Sequence, residues 1–360
     1  MTLSENTIKP EKIEQNRDTG ACAKLSVAPM MDWTDRHCRY FLRGFSPHAL
    51  LYTEMITAAA ILRGDRERLL SFDPEEHPVA LQLGGSEPAD LAEAARIGEA
   101  AGYDEINLNC GCPSDRVASG AFGACLMLEP QTVADCVAAM RARVNIPVTV
   151  KMRVGVISAT GKTAREAVAG FSEADFEALH EFVRSIAAAG CQVAIVHARK
   201  AVLGGLSPKD NREIPPLRYD VVKRLREAFP NLPFVVNGGF KDASAVEEAL
   251  SWSDGVMLGR EAYHRPYILA ELEHALYPGS PETPSREEHL DRMARYAELA
   301  LQRGDRLSAI TRHMLGLYGG EAGAREYRRT LSEGSRAPNA GPELFRRAVP
   351  TRRTCVEKLD

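Results

Sequence analysis

Short apolar runs recur along the first two-thirds of the chain, and an amphipathic stretch follows most of them. The runs are "KLSVAPM" (24–30), "ALLYTEM" (49–55), "PVALQLGG" (78–85), "EINLNCG" (105–111), "PVTVKMR" (147–153), "QVAIVHAR" (192–199), "PFVVNGG" (233–239) and "GVMLGR" (255–260). They are β-branched or Leu-rich, the pattern of parallel strands covered on both faces. Between them, Pro88–Ala101, Pro130–Arg141, Ala174–Ala189, Tyr219–Phe229 and Ser244–Trp252 have helical periodicity. "SEPADLAEAA" sets Ser86 and Pro88 where a helix start favours them. Eight strands alternating with helices predict the α/β class and a (β/α)8 TIM barrel. A doubly wound sheet usually has fewer strands, and no G-x-G-x-x-G follows the first run. "GVISATGKT" (155–163) has five residues between its glycines where a phosphate-binding P-loop needs four. It reads as part of an insertion, 155–173, between the fifth strand and its helix.

"YPGSPETPS" (277–285) breaks the alternation, and the period beyond it is helical only: "REEHLDRMARYAELALQRG", "RLSAITRHMLGLYGG", "GAREYRRTLSE". The expected organisation is a mobile polar leader (1–22), a barrel (23–277), a small all-helical domain (285–348) and a loose tail (349–360).

Composition adds limits. A hydrophobic content of 44% suits a packed globular protein. No run of 18 apolar residues could span a membrane, and the leader lacks the apolar core of a secretory signal. Eight cysteines at irregular spacings point to free thiols in a reducing cytoplasm rather than a disulfide framework. The net charge of −4 does not announce a nucleic-acid binder, but its distribution is uneven. From Ser285 onward there are 15 Lys/Arg against 11 Asp/Glu, which leaves 30 against 38 for the rest. That excess is either a solvated helical surface or a phosphate-contacting face.

Active sites of such barrels lie at the C-terminal ends of the strands. Those positions hold Pro29, Met30 and Met31; Gln82; Asn109 and then Cys112; Lys151; His197; Asn237, Gly238 and Gly239; and Gly259 and Arg260. A Lys or His at a buried strand end is costly unless paired or solvated by a ligand. Glycines after the last two strands let a backbone approach a phosphate, and Arg260 adds a fork of donors. Lys151 offers positive charge to an electron-rich ring. The set suggests flavin mononucleotide (FMN), although other phosphorylated ligands remain compatible with it. "NLNCGCPSDR" (107–116) poses a separate question. Cys110 and Cys112 could be metal ligands, a redox pair, or one reactive thiol beside an inert neighbour.

At these residues the chain resembles the tRNA-dihydrouridine synthase family. The resemblance is carried by "APMMDWTDRHCRYFLR" (28–43), "PVALQLGGSEPADLA" (78–92), "GYDEINLNCGCPSDRVASGAFGACLM" (102–127), "IPVTVKMR" (146–153), "VHARKAVLGGLSPKDNREIPPL" (196–217), "VNGGF" (236–240) and "DGVMLGREAY" (254–263). It spans roughly residues 24 to 335, and "GLSPKDNREIPPL" with "TRHMLGLY" (311–318) is similar to the A subfamily, which acts on positions 20 and 20a of the tRNA D-loop. The resemblance implies an enzyme that reduces uridine to 5,6-dihydrouridine with FMN, the flavin being reduced again by NADPH. It implies that Cys112 is the proton donor, that Cys110 fills a variable position, and that Lys151 and His197 lie beside the flavin. By the same resemblance Asn109 contacts the target uracil, and Lys209, Arg212, Arg325 and Arg328 contact tRNA. No metal is expected, since no second Cys/His pair has zinc-like spacing, and a redox pair would usually be C-x-x-C.

The implied chemistry is physically coherent. Hydride addition at C6 of uracil leaves enolate character across C5 and the C4 carbonyl, and C5 then needs a proton. An ordinary thiol, with a pKa of about 8.5, is mostly protonated at neutral pH yet acidic enough to donate. The target base must leave its stack, which a looped single strand makes cheap. Two rival readings stand beside this one. A small-molecule FMN reductase of the dihydropyrimidine or dihydroorotate type would share the barrel and acid but needs no arginine-rich helical platform. A tRNA-binding protein without chemistry would not need Cys112.

Overall fold

The computed structural model describes residues 22–114, 122–158, 170–204 and 206–350. The expected leader up to residue 21, residues 159–169 of the expected insertion and the tail from residue 351 lie outside the described residues.

Eight parallel strands close into a barrel: β1 (Leu25–Val27), β2 (Leu50–Tyr52), β4 (Val79–Gly84), β5 (Glu105–Cys110), β6 (Val148–Arg153), β8 (Ala194–His197), β10 (Phe234–Asn237) and β11 (Gly255–Leu258). The pairing of β2 with β4 and of β1 with β11 completes the ring. Each apolar run therefore supplies one barrel strand, as its pattern predicts. Three short strands were not anticipated. β3 (Ile56–Thr57) extends the edge of β4, while β7 (Val156–Ser158) and β9 (Ala201–Leu203) pair as a separate parallel ribbon. β7 and β9 follow closely on β6 and β8, and Asn211 ties down the β9 segment. It accepts from Val202 N–H at 2.7 Å and donates to the Val202 carbonyl at 3.0 Å.

Strand periodicity divides the barrel wall into two faces. On β5, Ile106, Leu108 and Cys110 are fully buried in the apolar layer beneath the helices. Glu105, Asn107 and Asn109 alternate with them and are joined by hydrogen bonds to Tyr52, Gln82 and Thr149 on neighbouring strands. A smaller apolar group that includes Ala28, Tyr52, Ala80, Ile195, Val235 and Met257 packs separately from that layer.

Helices Pro88–Ala100, Pro130–Arg141, Glu173–Ala188, Tyr219–Ala228 and Ala243–Leu250 lie within a residue or two of the expected segments. One start differs in detail. Pro88 does occupy the first turn, but the capping position belongs to Glu87 and carries no side-chain bond, so Ser86 is not the cap. After Leu276 the described chain holds helices only, at Arg286–Gln302, Leu307–Met314, Ala324–Gly334 and Glu343–Ala348. Ser285 opens the first with a capping box closed by Glu288. The last is too short to show as a period of its own.

These helices dock on Arg36–Arg43, the helix after β1. His37 Nδ1 lies 2.7 Å from the Tyr296 hydroxyl, Tyr40 stacks on Tyr296, and Arg292 donates to the Tyr40 carbonyl at 2.8 Å. The seven described cysteines are free. Among the described residues no helix is long and apolar enough to cross a membrane, and no cluster of His, Cys, Asp or Glu could hold a metal.

Candidate active site

A cleft of about 1700 Å³ opens over the C-terminal ends of the strands. It brings together Pro29, Met30, Met31, Gln82, Asn109, Cys112, Lys151, His197, Arg212, Asn237, Gly238, Gly239, Gly259 and Arg260. Barrel closure causes this convergence, because every strand delivers its last inward residue to the same rim. Lys209 is exposed in the turn before Arg212 and does not line the cleft. Arg325 and Arg328 are exposed on the helix Ala324–Gly334, away from the cleft, and neither forms an ion pair among the described residues.

Cys112 lies one turn beyond β5 on a loop fixed by backbone bonds. Asn109 Oδ1 accepts from the N–H of Gly111 at 3.1 Å and of Cys112 at 3.0 Å. The Cys112 carbonyl accepts from Ala124 N–H at 2.9 Å, and the Gly111 carbonyl accepts from Arg153 Nε at 3.1 Å. Among the described residues the thiol has one hydrogen-bond partner, Ser114 Oγ, at 3.5 Å. Cys110, by contrast, faces the helix layer, and burial pushes its thiol well above the ordinary range. The strand ends at Cys110, and the loop held by Asn109 turns Cys112 the other way: one cysteine is core and the other lines the cleft. Residues 115–121, the next part of the cysteine motif, lie outside the described residues.

A polar chain runs from this loop across the barrel. Asn109 Nδ2 donates to Gln82 Oε1 (2.8 Å), Gln82 Nε2 to Asn107 Oδ1 (2.7 Å), Asn107 Nδ2 to Thr149 Oγ1 (2.8 Å), and Thr149 Oγ1 to Glu105 Oε1 (2.6 Å). Tyr52 donates to the same Glu105 oxygen at 2.5 Å. Two backbone donors at one end and a carboxyl acceptor at the other give the chain one direction, which sets the orientation of all three amides. Both acceptor sites of Asn109 Oδ1 are used, and one Nδ2 hydrogen remains for a ligand.

Lys151 donates to Asn237 Oδ1 at 3.2 Å and has no carboxylate partner among the described residues. Burial, reinforced by the Arg153 guanidinium, pulls its ammonium down to about 7. His197 is held well below its usual value, first by burial and then by Arg153, Lys151, Arg199 and Arg212, so its imidazole is neutral at neutral pH. Gly238 and Gly239 adopt φ of 116° and 84°, where a side chain is strained. A Cβ at Gly238 would stand 2.7 Å from the His197 ring, and one at Gly239 would stand 2.5 Å from Leu217. Only glycines leave this floor open. Beyond it Arg199, Arg212 and Arg260 line one wall, and Arg260 is paired with Glu213 at 2.8 Å. The site therefore suits a planar ligand with an anionic end.

Sequence reasoning missed Arg153, which ties three loops together through the carbonyls of Gly111, Lys200 and Asn211. Its signal was present, since Thr149, Lys151 and Arg153 share one strand parity. Arg199 and Trp33 also line the cleft. Nothing local distinguishes them from surface residues.

The dihydrouridine synthase family model matches residues 26–351. The chain belongs to the dihydrouridine synthase family. Similar dihydrouridine synthases include the tRNA-dihydrouridine(20/20a) synthase of Synechocystis sp., 55% identical over 90% of this chain and 93% of that protein. That of Xanthomonas campestris pv. campestris is 54% identical over 90% and 92%, and that of Vibrio cholerae 49% over 92% and 97%. A solved 2-naphthoyl-CoA reductase complex is similar in fold alone, with a TM-score of 0.51 and 10% identity over 70% of this chain and 50% of that one.

Proposed function

We propose that this chain reduces uridine to 5,6-dihydrouridine at positions 20 and 20a of the tRNA D-loop, with FMN as cofactor and NADPH as reductant. The observation that carries the reading is the meeting, in one cleft, of the Cys112 loop with a basic wall and an open glycine floor. Near-full-length similarity to synthases of that name supports the substrate. The donor set fits FMN: Arg199 and Arg260 suit its phosphate, with Gly238, Gly239 and Gly259 giving the backbone room. Pro29, Met30, Met31, Gln82, Lys151, His197 and Asn237 would border its ring. When bound, the flavin supplies the hydride that reaches uracil C6.

The chain's own residues then do the following. Asn109 offers its free Nδ2 hydrogen to a uracil carbonyl while its oxygen holds the Cys112 loop in place. Cys112 gives its proton to C5. Solvent then restores the proton to the thiolate left behind. Lys209, Arg212, Arg325 and Arg328 contact the tRNA backbone, so that residues 23–277 act as the catalytic part and 285–348 as an RNA platform. We place the protein in the cytoplasm, where such RNA is modified.

The test is direct. tRNA from a strain lacking dihydrouridine synthases is incubated with the protein, FMN and NADPH, and dihydrouridine is mapped by position. Product at 20 and 20a is the expected result, and its absence there overturns the reading.

A further inference from the structure

Trp33 stands on the cleft wall in the turn after β1 and takes no part in the chemistry above. One face of its ring is stacked on Tyr263, with centroids 4.3 Å apart and planes 13° from parallel. His264 meets it edge-on at 5.1 Å. The turn that carries it is held from several sides. Thr34 Oγ1 accepts from the Met30 N–H at 2.9 Å and donates to the Met30 carbonyl at 3.2 Å. Arg312, on the helix Leu307–Met314, donates to the Asp32 carbonyl. The next residue, His313, lies 3.0 Å from Asp35 and 3.2 Å from the Tyr263 hydroxyl. Asp32 adopts φ of 64°, a conformation that a residue other than glycine keeps only where its surroundings over-determine it. A neighbour of Trp33 in the same turn, Met31, is 56% exposed, one of three exposed large hydrophobic residues among those described.

We propose that Trp33, backed by Tyr263 and flanked by Met31, is a stacking ledge for a nucleobase adjacent to the target uridine. The proposal rests on the tRNA reading above. Extruding a uridine from its stack leaves the neighbouring base with one face bare, and a fixed aromatic ring replaces the lost stacking whatever the base. The cleft is large enough: about 1700 Å³ exceeds the roughly 300–1,000 Å³ of a small-molecule site. The charge on this wall selects a base over the backbone. Asp32, Asp35 and Glu54 line the cleft here; Arg36 and Arg39 line it too but are paired with Asp305 and Glu76, and Arg312 is turned onto the Asp32 carbonyl. The anchors from Arg312 and His313 make the ledge preorganised, so little ordering is lost on binding.

The experiment is a protein–RNA double-mutant cycle on the FMN-loaded enzyme. Trp33→Leu should raise the KM for tRNA about 5- to 100-fold. Flavin content and NADPH oxidation without tRNA should be unchanged, and Trp33→Phe should recover most of the loss. A tRNA that is abasic on one side of the target uridine should penalise the wild-type enzyme to a similar degree. It should cost Trp33→Leu nothing further. A second measurement does not depend on how Trp33→Leu folds. The chain has two tryptophans, so Trp252→Phe leaves Trp33 as the sole reporter, and its emission should fall as tRNA binds. Penalties that multiply on both sides of the uridine, a wild-type KM for Trp33→Leu, or unchanged emission at saturating tRNA would each overturn the ledge. If the wild-type enzyme reduces tRNA in that same experiment, the ledge alone fails. An enzyme that leaves tRNA untouched overturns the reading beneath it as well.

Discussion

Replacing Cys112 with Ala removes one atom that the fold does not need. The loop is held by Asn109 Oδ1, by the Ala124 N–H and by Arg153, all through backbone groups, while the thiol's one hydrogen-bond partner among the described residues is Ser114. Losing a half-buried sulfur whose hydrogen bond to Ser114 is 3.5 Å long should change stability by less than about 1 kcal/mol. The catalytic cost should be far larger. A positioned general acid contributes about 10²–10⁴-fold, which is roughly 3–5 kcal/mol of barrier. The two magnitudes differ enough to separate chemistry from folding. The assay is anaerobic: enzyme reduced with one equivalent of NADPH is mixed with unmodified tRNA, and flavin reoxidation and dihydrouridine are followed together. Cys112→Ala should bind FMN, accept electrons from NADPH and unfold as the wild type does, yet form dihydrouridine at least about 100-fold more slowly. Near-normal dihydrouridine formation would refute the assignment. Cys110→Val is the control; Cys110 is sealed in the helix layer and should be close to silent in turnover. A large loss of turnover there would revive a paired-cysteine mechanism.

Three further outcomes are expected. Arg260→Ala should weaken FMN retention on dialysis by roughly 1.5–3 kcal/mol, the worth of a charge-assisted bond to phosphate, whereas Glu213→Gln should strengthen it by freeing the Arg260 fork; unchanged retention in both would move the phosphate elsewhere. Arg325→Ala with Arg328→Ala should raise the KM for tRNA and lower the log–log salt slope of binding by up to about 2, with flavin content unaltered; an unchanged slope would make the pair a solvated surface. Burial raises the Glu105 carboxyl from 4.5 to about 7, against the pull of its Thr149 and Tyr52 hydrogen bonds, so the folded state keeps a proton that the unfolded chain releases. Stability should therefore fall as pH rises from about 4.5 to about 7, by roughly 3 kcal/mol from this group, and Glu105→Gln should abolish that part of the slope in denaturant melts.

How much of this was legible in the chain itself depends on the range of the physics involved. Alternation of apolar runs with amphipathic stretches reports backbone period, which is local, and it was enough to predict eight strands, a barrel and a helical C-terminal part. Strand ends located the cleft, because closure delivers inward residues to one rim whatever their partners are. Parity along β5 puts Cys110 in the helix layer but says nothing of Cys112, which has the same parity and turns to the cleft only because the chain leaves the strand after Cys110; parity along β6 could have added Arg153 to Lys151. Which groups meet was not legible. Arg260 with Glu213, the relay from Asn109 through Gln82 and Asn107 to Glu105, and the stack of Trp33 on Tyr263 each join residues from different elements. Those meetings are decided by inter-strand register, by closure of β2 onto β4, and by the docking of Leu307–Met314 against the turn after β1. Hydrogen bonds and stacked rings require partners placed to within a fraction of an ångström. A one-dimensional pattern has no term for that distance, so only the folded chain could supply it.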